Sequence, residues 1–276
     1  MTDDSANQNQ PAKNVEYVTT YTPSLLVSIP RAGQRHALGI ADDALPFRGG
    51  DVWNAYEFTW LNKKGKPEVA LAQIHVPSKS TNIIESKSLK LYLGSYSGTK
   101  FGPRGEVVST LEADLTLAAR APVSVTLFSP EQVQHNGLVP IVGHSLDLLD
   151  ISVDEYYWNP DFLEPASNTI VRESLYTNLF KARCPMTGQP DFASLLVQYN
   201  GRSISHEGLL KYLISYREHA EFAEQIAERI FVDIMNRCMP DRLTVQARFT
   251  RRGGIDINPY RSHEENMGPD TRNWRQ

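Results

Sequence analysis

The stretch that decides the fold is residues 52–76, which read VWNAYEFTWLNKKGKPEVALAQIHV. Its first part, Val52 to Trp60, is rich in aromatic and β-branched side chains, a composition that favours a β-strand. The polar, glycine-containing segment 62–66 then predicts a turn, and Val69 to Val76 predicts the returning strand. The stretch therefore indicates an antiparallel hairpin early in the ordered part of the chain.

The order of predicted elements then recurs along the chain. After the hairpin, Glu106 to Arg120 places apolar residues at helical spacing, and a strand follows at 122–128. The second half repeats this order, with predicted strands at 174–180 and 192–199, a helical region at 205–238 broken near His219, and a strand at 243–249. We therefore predict an α+β fold of two tandem modules, each with an antiparallel sheet and helices packed on one face.

The boundaries of these modules follow from local composition. Residues 1–15 are polar without any recurring apolar group, which predicts a disordered tail. The segment 129–165 has scattered Pro and Asp residues and resembles a connector. We accordingly expect a first module at 16–145 and a second module at 146–276.

Bulk composition excludes several classes of function. Hydrophobic residues make up 41% of the 276 residues, as in ordinary globular proteins. The formal net charge of −4 disfavours a nucleic-acid partner, and no apolar run approaches the roughly 18 residues of a membrane helix. The two cysteines, with no export signal and no zinc-type spacing, lead us to expect a cytoplasmic protein without a disulfide or a metal.

The first candidate for chemistry is the loop from Arg183 to Asp191, RCPMTGQPD. Two prolines and a glycine between predicted strands define a loop, where reactive groups usually lie. Cys184 would act as a thiolate nucleophile and Asp191 could carry protons. The alternative is a buried cysteine at a strand end beside a turn aspartate. Cys238 ends an apolar helix and is predicted to belong to the core.

A second candidate is the segment from Glu85 to Tyr92, ESKSLKLY. A carboxylate beside the Ser86 hydroxyl can recognise the donor edge of a heterocycle. Lys87 and Lys90 are about one helical turn apart and could hold a phosphate. The alternative interpretation is the start of a solvated amphipathic helix.

Two further segments hold charged groups in patterns of interest. Phe222-Ala223-Glu224-Gln225 lies among acidic residues whose spacing is also typical of a solvated helix face. In the segment 250–259, TRRGGIDINP, paired arginines precede paired glycines, which suits close approach of the backbone to a phosphate. A strained turn with surface arginines explains that segment nearly as well. No GxGxxG follows a strand, so a Rossmann fold is not supported.

Together the four segments resemble the 7-cyano-7-deazaguanine reductases, the nitrile reductases of queuosine biosynthesis. The diagnostic stretch of that family, Glu-[Ser/Leu]-Lys-[Ser/Ala]-hydrophobic-Lys-[Leu/Tyr]-aromatic, is met in full by Glu85 to Tyr92. The likeness extends from about Tyr17 to Arg275. It implies tunnelling-fold (T-fold) modules in tandem and an oligomer, expected to be a homodimer, with sites at module interfaces.

The resemblance also implies roles for individual residues. Cys184 matches the nucleophile that forms a covalent thioimide with the nitrile, and Asp191 matches the proton donor. Residues that match the binding site of the deazaguanine are Ile84, Glu85, Ser86, Ala223 and Glu224. Residues that match the NADPH site are Ser86, Lys87, Arg252 and Gly253. The implied reaction converts 7-cyano-7-deazaguanine to 7-aminomethyl-7-deazaguanine with two molecules of NADPH.

One position departs from the family pattern. The family usually has Phe-His-Glu where this chain has Phe222-Ala223-Glu224. An alanine methyl cannot transfer a proton, so the reductive steps are the ones in question. Natural drift and a deliberate substitution both fit this change. The alternatives to a competent reductase are an impaired form that still makes the thioimide, a T-fold amidinotransferase acting on tRNA, and a binding protein for deazaguanines.

Overall fold

A computed structural model describes residues 17–41, 44–134, 137–264 and 271–276, so the predicted tail lies outside the described residues. Within these ranges the strands are β1 Ser28–Pro30, β2 Arg48–Leu61, β3 Pro67–Pro77, β4 Asn82–Ile84, β5 Ser124–Phe128, β6 His144–Ser145, β7 Pro165–Arg183, β8 Pro190–Ile204, β9 Arg242–Phe249 and β10 Ile255–Ser262. The helices are α1 Ala32–Ala37, α2 Ser86–Gly94, α3 Arg104–Ala119, α4 Pro130–Gln134, α5 His206–Ser215 and α6 Ala223–Cys238.

The predicted hairpin is confirmed as β2 and β3. The two strands pair antiparallel, with Trp53 opposite Ile74 and Leu61 opposite Pro67. The turn between them is closed by Asn62, whose side-chain oxygen accepts hydrogen bonds from the backbone N–H groups of Lys64 and Lys66. A local side-chain bond of this kind is the reason that Asn favours turns.

Eight strands form one continuous sheet in the order β5-β3-β2-β10-β9-β8-β7-β6. The expected antiparallel pairing is confirmed except between β6 and β7, which are parallel. The sheets of the two modules are joined because β10 lies between β2 and β9. β10 was not among the predicted strands, because residues 250–259 were interpreted as a turn, and its Pro259 is unusual in a central strand. The proline is tolerated because β9 pairs with β10 only at Tyr260–Ser262.

Helices cover one face of this sheet in two hydrophobic cores, as expected. In the first core, Leu111 of α3 packs in the same cluster as Trp53 of β2. In the second core, Leu213 of α5 and Ile230 of α6 pack with Val245 of β9. None of the helices in the described ranges is long and apolar enough to cross a bilayer.

The predicted break in the long helical region is confirmed, and it brings two candidate segments together. After α5, a 3₁₀ turn at Tyr216–Glu218 leads into an extended segment that ends at Phe222. This segment runs beside the end of β7: the Arg183 N–H donates to the His219 carbonyl at 2.8 Å, and the Glu221 N–H donates to the Arg183 carbonyl at 3.2 Å. The start of α6 is thereby held next to Cys184.

A buried cluster of charges ties both modules together beneath this junction. The Glu228 carboxylate of α6 accepts hydrogen bonds from Arg31, from Arg35 of α1 at 2.7 Å and from Arg261 of β10 at 2.9 Å. Asp51 of β2 accepts from Arg31 and Arg261 as well. The guanidinium groups hold the pKa of Glu228 below its usual range even though burial, the largest effect, raises it. Each buried charge therefore has a partner, as a low dielectric requires.

Replacing Glu228 by alanine is expected to lower the free energy of unfolding by about 3–5 kcal/mol, because three buried guanidinium groups would lose a shared carboxylate. Chemical denaturation measures the change. The matched control is Glu207→Ala on α5, where an exposed carboxylate pairs with Lys211 at 2.6 Å, and a change below about 1 kcal/mol is expected there. Equal losses at the two positions would contradict this account of the cluster.

Candidate active site

One pocket takes its walls from both modules. The first module contributes residues from β2, β4 and α2, and the second contributes the Cys184 loop, the start of α6 and the β9–β10 turn. The predicted site residues that line it are Ile84, Ser86, Cys184, Asp191, Ala223, Glu224 and Arg252. The four segments, which lie apart in the sequence, therefore meet at one site.

Cys184 begins the tight loop between β7 and β8. Its N–H donates to the Gln189 carbonyl at 2.8 Å, and its carbonyl accepts from the Gly188 N–H at 2.9 Å. The side chain is 7% exposed and lines the pocket. The predicted loop is confirmed, and the sulfur has a fixed position in the wall.

The environment of the sulfur favours a thiolate. Burial raises the pKa of the Cys184 thiol, but hydrogen bonds from Thr187, Arg252 and the backbone N–H groups of Met186 and Thr187 outweigh it, so the pKa lies below its ordinary value. Cys238 is a contrast, because burial in the second core raises its pKa to about 11. The thiolate is the reactive form, so Cys184 is the better nucleophile of the two.

The pKa of Asp191, the second residue of β8, is shifted in the opposite direction, above its ordinary value. Burial raises the pKa of its carboxyl, and Arg252 and Lys90 only partly counter this effect. A guanidinium nitrogen of Arg252 lies 3.2 Å from an Asp191 oxygen. A lowered thiol pKa and a raised carboxyl pKa bring the two values closer. That increases the fraction of molecules holding a thiolate and a protonated acid together.

Arg252 reaches both groups because of the turn that carries it. The backbone of Gly253 has φ +60° and that of Gly254 has φ +76°, a conformation that favours glycine. A Cβ on Gly254 would also lie 2.5 Å from the side chain of Glu57. The Arg252 guanidinium then donates to the Gln189 side chain at 2.8 Å, within the cysteine loop.

Glu224 lies in the first turn of α6 and is 2% exposed. Burial, followed by the charge of Asp51, raises its pKa to about 8, although Arg31 acts in the opposite direction. Among the described residues no other side chain donates a hydrogen bond to its carboxylate. Glu224 is therefore an available partner for a ligand with N–H groups. Ala223 beside it also lines the pocket.

Three predicted residues do not line the pocket. The Glu85 carboxylate caps α2, accepting from the N–H groups of Lys87 at 2.9 Å and Ser88 at 2.7 Å. A carboxylate has further lone pairs, so this cap leaves room for a ligand. Lys87 and Gly253 are the chain neighbours of the lining residues Ser86 and Arg252 but do not line the pocket themselves. Their binding roles stay predictions.

Other lining residues were missed from the sequence, except Lys90, which was predicted as a possible phosphate contact. Lys90 faces Cys184 and Asp191, and burial, with Arg252, lowers its pKa. The Glu221 carboxylate lines the pocket and is held by Arg229 at 2.8 Å. The alternation of Ile255 and Ile257 was a signal for a strand with one apolar face, but the proline that follows obscured it.

Comparisons with known proteins identify the family of the chain. One family profile, "Nitrile reductase, 7-cyano-7-deazaguanine-reductase N-term", matches residues 17–127, and another, "QueF-like protein", matches residues 190–267. A protein from Hydrogenovibrio crunogenus named NADPH-dependent 7-cyano-7-deazaguanine reductase is 47% identical over 273 residues, covering 99% of this chain and 98% of its own. The chain belongs to the 7-cyano-7-deazaguanine reductase family.

Other members of the family are similarly close. Proteins of the same name from Bordetella avium and Burkholderia multivorans are 48% and 49% identical, covering 95% and 94% of this chain and 96% and 94% of their own. The resemblance of the four segments is thus confirmed, and the repeated element order agrees with tandem T-fold modules. A solved structure of the archaeosine synthase QueF-Like covers 37% of this chain and 99% of its own at 19% identity, with a TM-score of 0.31, and carries no argument.

Proposed function

We propose that this chain reduces the nitrile of 7-cyano-7-deazaguanine to the aminomethyl group with NADPH, as a step in queuosine biosynthesis. The observation that carries the proposal is the convergence of Cys184, Asp191 and Glu224 on one pocket built from both modules. The names of the relatives support the substrate and the cofactor.

The first step is addition of the Cys184 thiolate to the nitrile carbon. A carbon–sulfur bond forms while one carbon–nitrogen π bond breaks, and Asp191 gives its proton to the nitrogen, so that a thioimide results. The raised pKa of Asp191 supports this role because the acid must be protonated at the moment of addition. Arg252, which contacts both groups, holds them in place.

NADPH, when bound, supplies the two hydrides that turn the thioimide carbon into the amine carbon. After the first reduction the carbon–sulfur bond breaks, and Cys184 returns to the thiolate that the hydrogen bonds to its sulfur stabilise. The enclosing walls keep water from the imine, which would otherwise hydrolyse. The second hydride, together with a proton taken up by the imine nitrogen from solvent or a reprotonated Asp191, would give the primary amine, which then leaves the pocket.

The residues at the pocket fit the proposed cofactor. Burial and the nearby charge of Arg252 lower the pKa of Lys90, although Asp191, Glu85 and Cys184 act in the opposite direction, so an added phosphate would be stabilised by the two cations. Ser86 begins α2 and offers its hydroxyl to a phosphate, since the Glu85 carboxylate already accepts from the N–H groups of Lys87 and Ser88. Gly253 lets the backbone approach, with only the Lys90 side chain near its missing Cβ at 3.5 Å. We assign NADPH to Ser86, Lys87, Arg252 and Gly253.

A second candidate function is favoured by Ala223. The position lines the pocket between Phe222 and Glu224, yet its methyl group cannot carry a proton. A chain of this kind would bind the nitrile and form the thioimide but reduce it slowly.

We infer a homodimer from the open edges of the sheet. Within the described ranges, β5 pairs only with β3, and the outer edge of β7 is paired only at Leu175, Tyr176 and Arg183. Open edges pair readily with another chain, so a second copy is the proposed partner. We also assign the enzyme to the cytoplasm, where a reducing environment keeps both free cysteines as thiols.

The experiment that tests the function follows NADPH absorbance with the purified chain and the nitrile. The proposal requires steady oxidation of two NADPH per nitrile, with the amine as product. A single slow phase of NADPH oxidation, during which the thioimide accumulates, would favour the impaired form. If neither NADPH oxidation nor an adduct is observed, the chain is a binding protein, and both the competent reductase and the impaired form are contradicted.

The pH dependence of adduct formation should be bell-shaped, with an acid limb at the pKa of Asp191 and an alkaline limb at that of Cys184. In Arg252→Gln, loss of the cation raises both pKa values, so both limbs should move to higher pH. Stopped-flow absorbance of the adduct measures this. The control is Arg251→Gln, which removes a guanidinium stacked on Tyr56 at 4.6 Å. If neither limb of the pH profile moves in Arg252→Gln, Arg252 does not act on Cys184 and Asp191.

Above pH 8, where a pKa of about 8 leaves the Glu224 carboxyl ionised, Glu224→Leu is expected to weaken binding of the nitrile at least about tenfold, because hydrogen bonds to a charged acceptor contribute roughly 1.5–3 kcal/mol. Calorimetry in a Cys184→Ala background measures binding without covalent capture. Glu207→Leu, an exposed change on another helix, should leave the affinity as it was. Equal affinities in all three proteins would remove Glu224 from the binding site.

A further inference from the structure

The pocket wall contains a hydrogen-bond donor that the rest of the described chain leaves unpaired. Trp53 of β2 is 2% exposed and lines the pocket. Its indole Nε1 is buried without a partner in the described part of the chain. Buried polar groups nearly always have partners, and an indole N–H in a core usually finds one. The indole N–H is one of a few unpaired buried polar groups in the described chain and, among these, it belongs to a residue that lines the pocket, so an acceptor in the pocket is the partner we consider.

The neighbours of Trp53 explain why the protein cannot supply that acceptor. On one side it is paired with Ile74 of β3, and on the other side with Ile257 of β10. Both side chains are aliphatic, and the remaining cluster around the ring is hydrophobic. The pocket that Trp53 lines is also the pocket of Cys184 and Glu224, so a ligand bound there can lie next to the indole.

We propose that the Trp53 indole N–H donates to the ring carbonyl oxygen of the bound base, an inference that rests on the proposed function. The N–H groups of a deazaguanine suit the Glu224 carboxylate, and its nitrile must meet Cys184. Its carbonyl oxygen needs a donor, and the cations Lys90 and Arg252 are engaged around Cys184 and Asp191. Trp53 is then a specificity-determining residue, because an amino group at the same place would oppose one donor with another.

The test measures binding by calorimetry in the full chain carrying Cys184→Ala, with Trp53→Phe added. The nitrile substrate should bind about tenfold more weakly when the donor is lost. An analogue with hydrogen in place of the carbonyl oxygen, 2-amino-7-cyano-7-deazapurine, should bind both proteins equally. The matched control is Trp60→Phe, which changes a tryptophan of the same core outside the pocket wall and should alter neither affinity.

Trp53→Phe also removes volume, so a second variant isolates the hydrogen bond. Replacing Trp53 by benzothienylalanine keeps the shape of the side chain and puts sulfur where the N–H was, and it should reproduce the tenfold loss. Unchanged affinity for the nitrile, or an equal loss for the nitrile and the analogue, would overturn the assignment of Trp53 and leave the proposed function standing. Failure of the chain with Trp53 intact to bind the nitrile would overturn the proposed function, and this assignment with it.

Discussion

Cys184→Ala is expected to reduce nitrile-dependent NADPH oxidation by a factor on the order of 10⁴ or more. The reason is that the nucleophile is part of a covalent route, and the other groups of such a site contribute little once it is missing. The fold should persist, because a cysteine at the mouth of a loop leaves little volume behind. Steady-state rates and a thermal melt of the same preparation measure the two effects.

The matched control is Cys238→Ala. Cys238 is fully buried at the end of α6, and burial raises its pKa to about 11, so it is neither accessible nor ionised near neutral pH. Its loss should cost some stability and leave the rate per folded molecule unchanged. A rate that survives in Cys184→Ala and disappears in Cys238→Ala would exchange the roles of the two residues.

Ala223→His is expected to accelerate reduction of the thioimide by about 10²–10⁴, the usual contribution of a positioned general acid or base. The side chain at this position enters the pocket at the start of α6, next to Glu224. Formation of the thioimide should change little, because addition depends on the thiolate and Asp191. Single-turnover kinetics with preformed adduct and NADPH separate these steps.

Ala220→His serves as the control for Ala223→His. Ala220 is exposed and lies in the extended segment before α6, so an imidazole there adds the same chemistry outside the pocket. No acceleration is expected in this variant. If Ala223→His also gives no acceleration, proton delivery comes from elsewhere and the chain is a competent reductase as it stands. His219, held 3.0 Å from the Glu221 carboxylate, would then be examined first.

Local patterns in the sequence predicted most of the fold. The β2–β3 hairpin, α3 and the broken helix at 205–238 depend on spacing and turn residues within a few positions, so they could be read directly. β10 could not be predicted in this way, because a proline usually argues against a strand. Whether Pro259 is tolerated depends on which neighbouring strand pairs with β10 at that position. The joining of the two modules into one sheet depends on that same strand.

The site was predicted in part, for a similar reason. Cys184 and Asp191 stood out because they belong to one short loop. The contact of Arg252 with both residues depends on the register of β8 and β9, which places the Thr250 N–H 2.8 Å from the Phe192 carbonyl. Nothing in the local sequence reveals that register. The cap that the Glu85 carboxylate forms on α2 was likewise visible only in three dimensions.

The measurement that tests the central claim most directly is the mass of the full chain after incubation with 7-cyano-7-deazaguanine in the absence of NADPH. A thioimide adds the whole mass of the nitrile to one residue, and peptide mapping should find it on Cys184, with release of the amine once NADPH is supplied. An unmodified chain under saturating nitrile, or an adduct on Cys238, would contradict the account.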